Sequence, residues 1–391
     1  MTSSFEPAFT PPAEPPLNFD PPTPTPDEPV IGEHVPETYR LQFHGKAGEY
    51  FGIWMVNLAL TLLTLGIYSA WAKVRTQKYF YGHTELAGSH FDYHGKPLAI
   101  LIGRLIAAAL FIPYAVLAQM ENALAFVVLG VIVLLAPWLV ARSLRFRMRM
   151  TSWRAIRFGW SGSVGQTYLH FLLMPLLIPL SLMFAMPWVH HQQRAFLLKH
   201  LRYGSTSTSV KPAVGEFYMA YLVSIGSVFA GGTALMIAFA LIAAVVGVVF
   251  YVAVGNFDGS DVAKMVGGGM FIAAIAVLYL ITLLLYVVVG QVLKISLLGI
   301  VLNHSQIGPH QIKAEFKIFP LGWMFCTNLL ALLCSLGLAW PWAKVRMTKM
   351  ILESISVTTG APLAELTAAS GDQVGATGQE VAQMFDVDIA V

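Results

Sequence analysis

Apolar segments alternate with short basic and aromatic-rich segments along most of this chain. The apolar segments cover about 50–72, 97–119, 123–145, 168–189, 217–254, 267–302 and 321–342. Each is close to or longer than the ~18 apolar residues that indicate a membrane helix. This pattern predicts an all-α polytopic membrane protein with seven apolar segments. Strand-forming residues on both sides of Gly88 add a prediction of small β-hairpins on the cytoplasmic membrane surface.

One segment recurs far along the chain. Leu62–Lys78 reads LLTLGIYSAWAKVRTQK and Leu333–Lys349 reads LCSLGLAWPWAKVRMTK, and Asn57 upstream of the first corresponds to Asn328 upstream of the second. A weaker third copy begins with WSGSVGQTY. Such self-similarity indicates internal repeats. We predict a membrane domain over 39–358, with repeat elements at about 43–95, 158–218 and 313–358 and paired spans at about 97–145 and 217–302.

The distribution of charge indicates how these segments meet the membrane. Basic residues flank every repeat element, whereas the loops at 119–122 and 255–264 carry three acids and only Lys264. Basic residues accumulate on the cytoplasmic side. All basic flanks are cytoplasmic if each repeat element is a re-entrant hairpin that bends at its glycine or proline residues. The alternative is seven full spans with an imperfect charge bias, and both topologies place the C-terminus in the cytoplasm.

The composition agrees with a membrane protein and sets two acidic tails apart. Of the 391 residues, 56% are hydrophobic and 12% are charged, against about 25% charged residues in a typical soluble domain. All 24 Lys and Arg lie between Arg40 and Lys349. Residues 1–38 are rich in proline and acids, which is typical of a disordered tail, with a Pro-rich ligand for a protein partner as the alternative. Residues 359–391 form the second acidic tail.

The chain contains no motif typical of an enzyme or a nucleotide-binding protein, because GxSxG, HExxH, the P-loop and the dinucleotide fingerprint are all missing from the sequence. His83, His90 and His94, and the pair His190-His191, are candidate metal ligands. Positions in a surface hairpin and at the membrane interface explain these histidines better. We therefore expect no catalytic site, cofactor, metal or nucleic-acid partner.

Three sets of polar residues are candidate contacts for a solute or a lipid. Arg104 and Lys294 lie at membrane depth, where ionisable residues mark functional sites by default, although both are close enough to the interface to snorkel. Asn57 and Asn328 either hydrogen-bond between helices or face a solute, as in repeat-built transporters. The basic turns either anchor the protein at the interface or bind anionic headgroups or an anionic solute. They comprise Lys73, Arg75, Lys78, Lys344, Arg346 and Lys349.

The motifs of the first repeat element resemble those of a known family. FHGKAGEYF, IYSAWAKVR, YFYGHT and FDYHG follow one another over Phe43–Gly95, and the similarity continues through WSGSVGQTY, RYGST, VGEFY and WPWAKVR. Over about 40–358 the chain thus resembles the YjgN-like family of bacterial inner-membrane proteins. The resemblance implies a multi-pass protein of the bacterial cytoplasmic membrane. It implies no functional residue, because the family is one without an established biochemical function.

These observations lead to two functional hypotheses. The first is a non-enzymatic inner-membrane protein whose broken, repeated elements build a transport or permeation path for a small solute or a lipid. The second is a structural or lipid-organising scaffold that binds anionic headgroups through its WAKVR turns. Replacing Asn57 or Asn328 separates the two, because only a transporter depends on polar groups inside a path.

Overall fold

The computed structural model describes residues 36–254 and 260–362. The predicted N-terminal tail lies outside this part of the chain except for its last three residues, and the predicted C-terminal tail lies outside it beyond residue 362. Within the described ranges the chain forms eleven short strands that alternate with helices. The strands are β1 (Thr38–Arg40), β2 (Gln42–Phe43), β3 (Thr84–Leu86), β4 (Ser89–Tyr93), β5 (Thr151–Trp153), β6 (Ile156–Trp160), β7 (Leu201–Tyr203), β8 (Thr206–Val210), β9 (Ser305–Ile307), β10 (His310–Ala314) and β11 (Ile355–Thr358).

The strands form one antiparallel sheet that nearly closes on itself. From β3 to β10, each strand pairs with the strands that precede and follow it in sequence. β1 pairs with β11 and β2 pairs with β3. Only Leu41 separates β1 from β2, and its N–H donates to the carbonyl of Ile355 at 3.0 Å. The two ends of the sheet therefore meet in one almost continuous strand, which brings the sheet close to a barrel.

The connections between strands alternate between two edges of the sheet, because consecutive strands are antiparallel neighbours. At one edge, the described connections are two-residue turns, and two of them, Ala87-Gly88 and Arg154-Ala155, have positive φ at both residues. This is the geometry that fits the twist of a tight β-hairpin. At the other edge, each connection between the described strands is helical. All of these helical connections therefore begin and end at the same edge of the sheet.

The helices occupy the connections at this second edge. β2 and β3 are joined by α1 (Ala47–Leu63) and α2 (Ser69–Gly82), and β4 and β5 by α3 (Pro97–Gln119) and α4 (Leu124–Arg149). Between β6 and β7 come α5 (Val164–Tyr168), a π-helical turn (Leu169–Leu173), a 3₁₀ turn (Met174–Leu176), α6 (Leu177–Leu180) and α7 (Met186–Lys199). The remaining helices are α8 (Val214–Val254), α9 (Ser260–Asn303), α10 (Ile318–Cys334) and α11 (Trp340–Glu353).

The predicted all-α fold with seven apolar segments is wrong. In addition to the sheet, the described residues contain four helical stretches that are long and apolar enough to cross a membrane, namely Pro97–Gln119, Leu124–Arg149, Val214–Val249 and Ile272–Asn303. The other apolar helices of the described chain are shorter: Ala47–Leu63, Val164–Leu180 and Ile318–Cys334. The hydropathy pattern merged each short helix with the turn that follows it and with the first residues of the next, polar helix. It missed the sheet because strands of two to five residues are too short to produce a clear alternation.

The three short helical connections turn in the same way at their far ends. The N–H of Gly66, Met183 or Gly337 donates to a carbonyl five residues earlier, at 2.7, 2.9 and 2.8 Å. The residue before each of these donors also has positive φ. In the first and third turns that residue is Leu65 or Leu336, and each leucine is 95% exposed. Each short connection therefore presents an apolar tip at the end farthest from the sheet.

An aromatic cluster holds neighbouring strands together near the edge with the two-residue turns. Trp153 and Tyr203 are buried, and Phe91 and Phe158 pack against them. The hydroxyl of Tyr203 donates to the carbonyl of Trp153 at 3.0 Å. Burial raises the pKa of Tyr203 to about 12, so this hydroxyl keeps its proton and remains a donor. Side chains from β4, β5, β6 and β7 thus share one packed group.

Candidate functional site

Asn57 on α1 and Asn328 on α10 occupy equivalent places in two helix pairs. Each side chain is buried, with 5% of its residue surface exposed. The amide of Asn57 donates to the carbonyl of Ala72 on α2 at 3.5 Å, and the amide of Asn328 donates to the carbonyl of Ala343 on α11 at 3.4 Å. Each asparagine therefore links an apolar helix to the polar helix that returns to the sheet.

The two asparagines differ in what their side-chain oxygens contact. Oδ1 of Asn328 accepts a hydrogen bond from the guanidinium of Arg346 at 3.1 Å, and the same nitrogen donates to the hydroxyl of Thr327 at 2.7 Å. Oδ1 of Asn57 is buried and has no hydrogen-bond partner among the described residues. Arg75, which has the same place in the first WAKVR segment as Arg346 has in the second, is exposed. The acceptor is therefore satisfied within the protein at one site and open at the other.

Asn57 lines a cleft of about 420 Å³ between α1, α2 and α11. Asn57 and Thr61 line it from α1, and Lys344 lines it from α11. Lys344 also contacts Tyr50 on α1, although the two residues are 294 positions apart in sequence. The α2 side of the cleft is mostly polar, and its lining residues are Ser69, Ala72, Lys73, Thr76 and Gln77. The cleft therefore combines donors, one unpaired acceptor and two lysines.

Aromatic groups hold Lys344 at this cleft. Its ammonium lies 3.3 Å from the hydroxyl of Tyr50 and 4.8 Å from the ring centre of Phe80. Such cation–π contacts stabilise an ammonium without neutralising its charge. Lys344 therefore remains available to an anion in the cleft.

Lys73 lies among other positive charges. The positive charges of Arg147 and Arg104 act on its ammonium group. Arg104 reaches the cleft by donating to the hydroxyl of Ser69. Among the described residues, no carboxylate lies within ion-pair distance of Lys73, Arg104, Arg147 or Lys344. The positive charge of this region is thus uncompensated by the described protein groups.

The remaining candidate residues lie outside the cleft. Arg346 belongs to the Asn328 site and stacks over Trp342 at 5.1 Å. Lys349 pairs with Glu353 at 3.8 Å. Lys78 on α2 and Lys294 on α9 are exposed. The structure therefore gathers Asn57, Lys73, Lys344 and Arg104, and leaves Arg75 beside them with its side chain exposed.

A second cavity, which the sequence analysis missed, is a groove of about 650 Å³ between α8, α9 and α10. Its walls are mainly apolar, with Ser224, Ser227 and Ser296 on the two long helices. Glu216 lies at the end near the sheet, and its carboxylate is 3.2 Å from the ring of His304. The serines inside otherwise apolar segments were the only local signal of this groove, because its walls come from three distant parts of the chain.

The histidines considered as metal ligands bond to separate protein groups. His83 lies 3.9 Å from Glu49, and His94 is 2.8 Å from the hydroxyl of Ser152. His191 accepts a hydrogen bond from the backbone N–H of Ala213 at 3.1 Å. No group of three or more His, Cys, Asp or Glu side chains gathers as a metal site within the described ranges.

Comparisons with known proteins place the chain among bacterial membrane proteins. A family described as a bacterial protein of unknown function (DUF898) matches residues 38–384. The inner membrane protein YjgN of Salmonella typhimurium is 23% identical over 370 residues, which cover 86% of this chain and 93% of that protein. The inner membrane protein YjgN of Escherichia coli O157:H7 is 28% identical over 201 residues, which cover 50% of this chain and 48% of that protein. No solved structure matches the chain.

These relatives confirm the resemblance found in the repeated motifs. Together with the four long apolar helices, they identify the chain as an integral protein of the bacterial inner membrane. The family match extends over nearly all of the described residues. The chain therefore belongs to the family of bacterial proteins of unknown function designated DUF898.

Proposed function

We propose that this protein is a non-enzymatic, multi-pass inner-membrane protein that binds anionic phospholipids in the cytoplasmic leaflet. The observation that carries this proposal is the cleft between α1, α2 and α11, where Lys73, Lys344 and Arg104 lie without a described carboxylate partner. Lysine and arginine near a membrane surface each attract anionic lipid by about 1 kcal/mol. A lipid phosphate would supply the missing negative charge.

The topology supports a cytoplasmic position for the sheet and for the C-terminus. All helical connections leave from one edge of the sheet, and basic residues flank that edge, as they do on the cytoplasmic side of inner-membrane proteins. α2 is only ~20 Å long at 1.5 Å per residue, which is less than the ~30 Å hydrocarbon core. In this proposal the three short connections are copies of one repeat. They dip into the membrane as re-entrant hairpins with Leu65, Leu182 and Leu336 at their tips.

The depth of the cleft fits one half of the bilayer better than a path across it. Lys73 lies nine residues before the end of α2, which places it ~14 Å from the sheet edge. Ser69, at the deeper end of the cleft, lies ~20 Å from that edge by the same rise. The polar lining thus lies ~14–20 Å from the sheet edge, which is within one half of a bilayer that is ~40–45 Å thick with its headgroups.

The test is a direct measurement of lipid binding. Full-length protein in a neutral detergent is titrated with phosphatidylglycerol or phosphatidylcholine, and the bound lipid is counted by native mass spectrometry. The double variant Lys73→Gln/Lys344→Gln should bind phosphatidylglycerol about 30-fold more weakly, from ~1 kcal/mol for each lysine. Lys46→Gln/Lys349→Gln is the matched control, because it removes the same charge from lysines that already have carboxylate neighbours. Equal losses in the two double variants would reject the cleft as the site.

A second candidate function, movement of lipids between leaflets, is favoured by the groove between α8, α9 and α10. The groove follows α9 from Val288 to Asn303, a distance of ~22 Å, and three serines lie along its walls. Gly322 lines this groove, and a side chain added there meets no atom within 4 Å. In proteoliposomes, Gly322→Leu should slow the flipping of labelled phospholipid, whereas Gly290→Leu on α9 outside the groove should not. Equal flipping rates in the two variants would exclude this candidate.

A further inference from the structure

The unpaired oxygen of Asn57 restricts what the cleft can bind. Asn57 lines the cleft, and its Oδ1 is buried without a hydrogen-bond partner among the described residues. An amide oxygen is only an acceptor, and a buried acceptor without a donor is unfavourable. A bound molecule that brings an O–H or N–H group to this position would therefore gain from it.

The Asn328 site shows that the same position can be filled. There Arg346 supplies the donor and is held by two acceptors, Asn328 and Thr327. At the repeat position of Thr327 the first copy has Val56, which offers no acceptor. Arg75 thus lacks the second contact that holds Arg346, and its side chain stays exposed. The difference between Val56 and Thr327 therefore removes one of the two acceptors that hold Arg346 in the other segment.

The surrounding charge favours a neutral donor on an anionic molecule. Lys73, Lys344 and Arg104 suit a phosphate, but they repel a second cation such as an ammonium group. A hydroxyl donates to Asn57 without that repulsion. A phosphodiester whose headgroup carries a hydroxyl therefore matches both features of the cleft.

We propose that Asn57 accepts a hydrogen bond from a headgroup hydroxyl, so that the cleft selects phosphoglycerol-type lipids over lipids of equal charge that have no hydroxyl. This inference rests on the proposed lipid-binding function and names its ligand class. Lys73 and Lys344 bind the phosphate, and Asn57 recognises the headgroup hydroxyl.

The experiment compares two lipids of the same charge. Full-length protein in neutral detergent is titrated with phosphatidylglycerol and with phosphatidylmethanol, which lacks the hydroxyls, and with phosphatidylcholine as the zwitterionic reference. The wild-type protein should prefer phosphatidylglycerol over phosphatidylmethanol roughly tenfold, the scale expected when a buried acceptor gains its donor. In Asn57→Leu the preference should disappear while phosphatidylmethanol binds as before.

A second variant covers the case in which Asn57→Leu does not fold. Val56→Thr changes a residue that is 44% exposed and gives Arg75 the pair of acceptors that holds Arg346. Arg75 should then donate a hydrogen bond to Oδ1 of Asn57, and the ratio of the affinities for phosphatidylglycerol and phosphatidylmethanol should fall toward one. If wild-type protein binds both anionic lipids equally but more tightly than phosphatidylcholine, the hydroxyl inference is wrong and the proposed function stands. If neither anionic lipid exceeds phosphatidylcholine, the proposed function itself fails. A preference that survives in both variants also overturns the inference.

Discussion

The two arginines of the WAKVR segments should contribute differently to stability, although these five residues are identical in the two segments. Arg346 donates to Thr327 and to the buried Asn328, and it stacks over Trp342. Arg75 is exposed and has no such contact among the described residues. We therefore expect Arg346→Met to lower the free energy of unfolding and Arg75→Met to leave it nearly unchanged.

The magnitude follows from the contacts that are lost. Without Arg346, the oxygen of Asn328 becomes a buried acceptor without a donor, which costs about 1–3 kcal/mol. Loss of the cation–π contact with Trp342 adds about 0.5–1 kcal/mol. The total is about 1.5–4 kcal/mol for Arg346→Met. An exposed residue without specific contacts, such as Arg75, changes stability by less than about 0.5 kcal/mol.

The assay is unfolding by SDS in mixed detergent micelles, followed by tryptophan fluorescence. Arg346→Met, Asn328→Leu and the double variant form a double-mutant cycle, and we expect a coupling energy of about 1 kcal/mol or more. The same cycle at Arg75 and Asn57 should give coupling near zero. Equal coupling in the two cycles, or a larger effect at Arg75, would refute the assigned difference between the two sites.

Three further predictions test the fold. Gly66 has φ +93° and open space around it, so Gly66→Ala should lower the free energy of unfolding by about 1–2 kcal/mol from backbone conformation alone. Gly52→Ala within α1 should leave stability unchanged or raise it. Thermal unfolding of the two variants tests this difference. Tyr203→Phe should lower stability by about 1–3 kcal/mol because the aromatic cluster loses a buried hydrogen bond, and no change would show that this bond is unimportant. After replacement of the two native cysteines, Glu121→Cys should react with a membrane-impermeant thiol reagent in spheroplasts and Ser89→Cys should not; the opposite labelling would place the sheet outside.

Several conclusions were available from the sequence because they depend on local composition. Runs of apolar residues identified an integral membrane protein, and the motifs from FHGKAGEYF to WPWAKVR identified the family. The segment around Gly66 was less informative: a bend there was one of two alternatives, and the hydropathy pattern did not separate the end of the apolar helix from the start of the polar helix. The turn there depends on positive φ at Leu65 and Gly66, which composition alone does not reveal.

The sheet and the cleft were decided by tertiary structure alone. Strands such as Gln42–Phe43 are too short to be recognised, and they form only because helical hairpins return the chain to the same edge of the sheet. Likewise, the repeat made Asn57 and Asn328 look equivalent, but their surroundings differ because one has Val56 beside it and the other has Thr327. By itself the sequence determined that this is an integral inner-membrane protein of this family, with two WAKVR segments and an asparagine at the same distance before each. Only the fold decided which asparagine faces an open, positively charged cleft, because Lys344 reaches that cleft from a distant helix and hydrogen-bond satisfaction depends on three-dimensional neighbours.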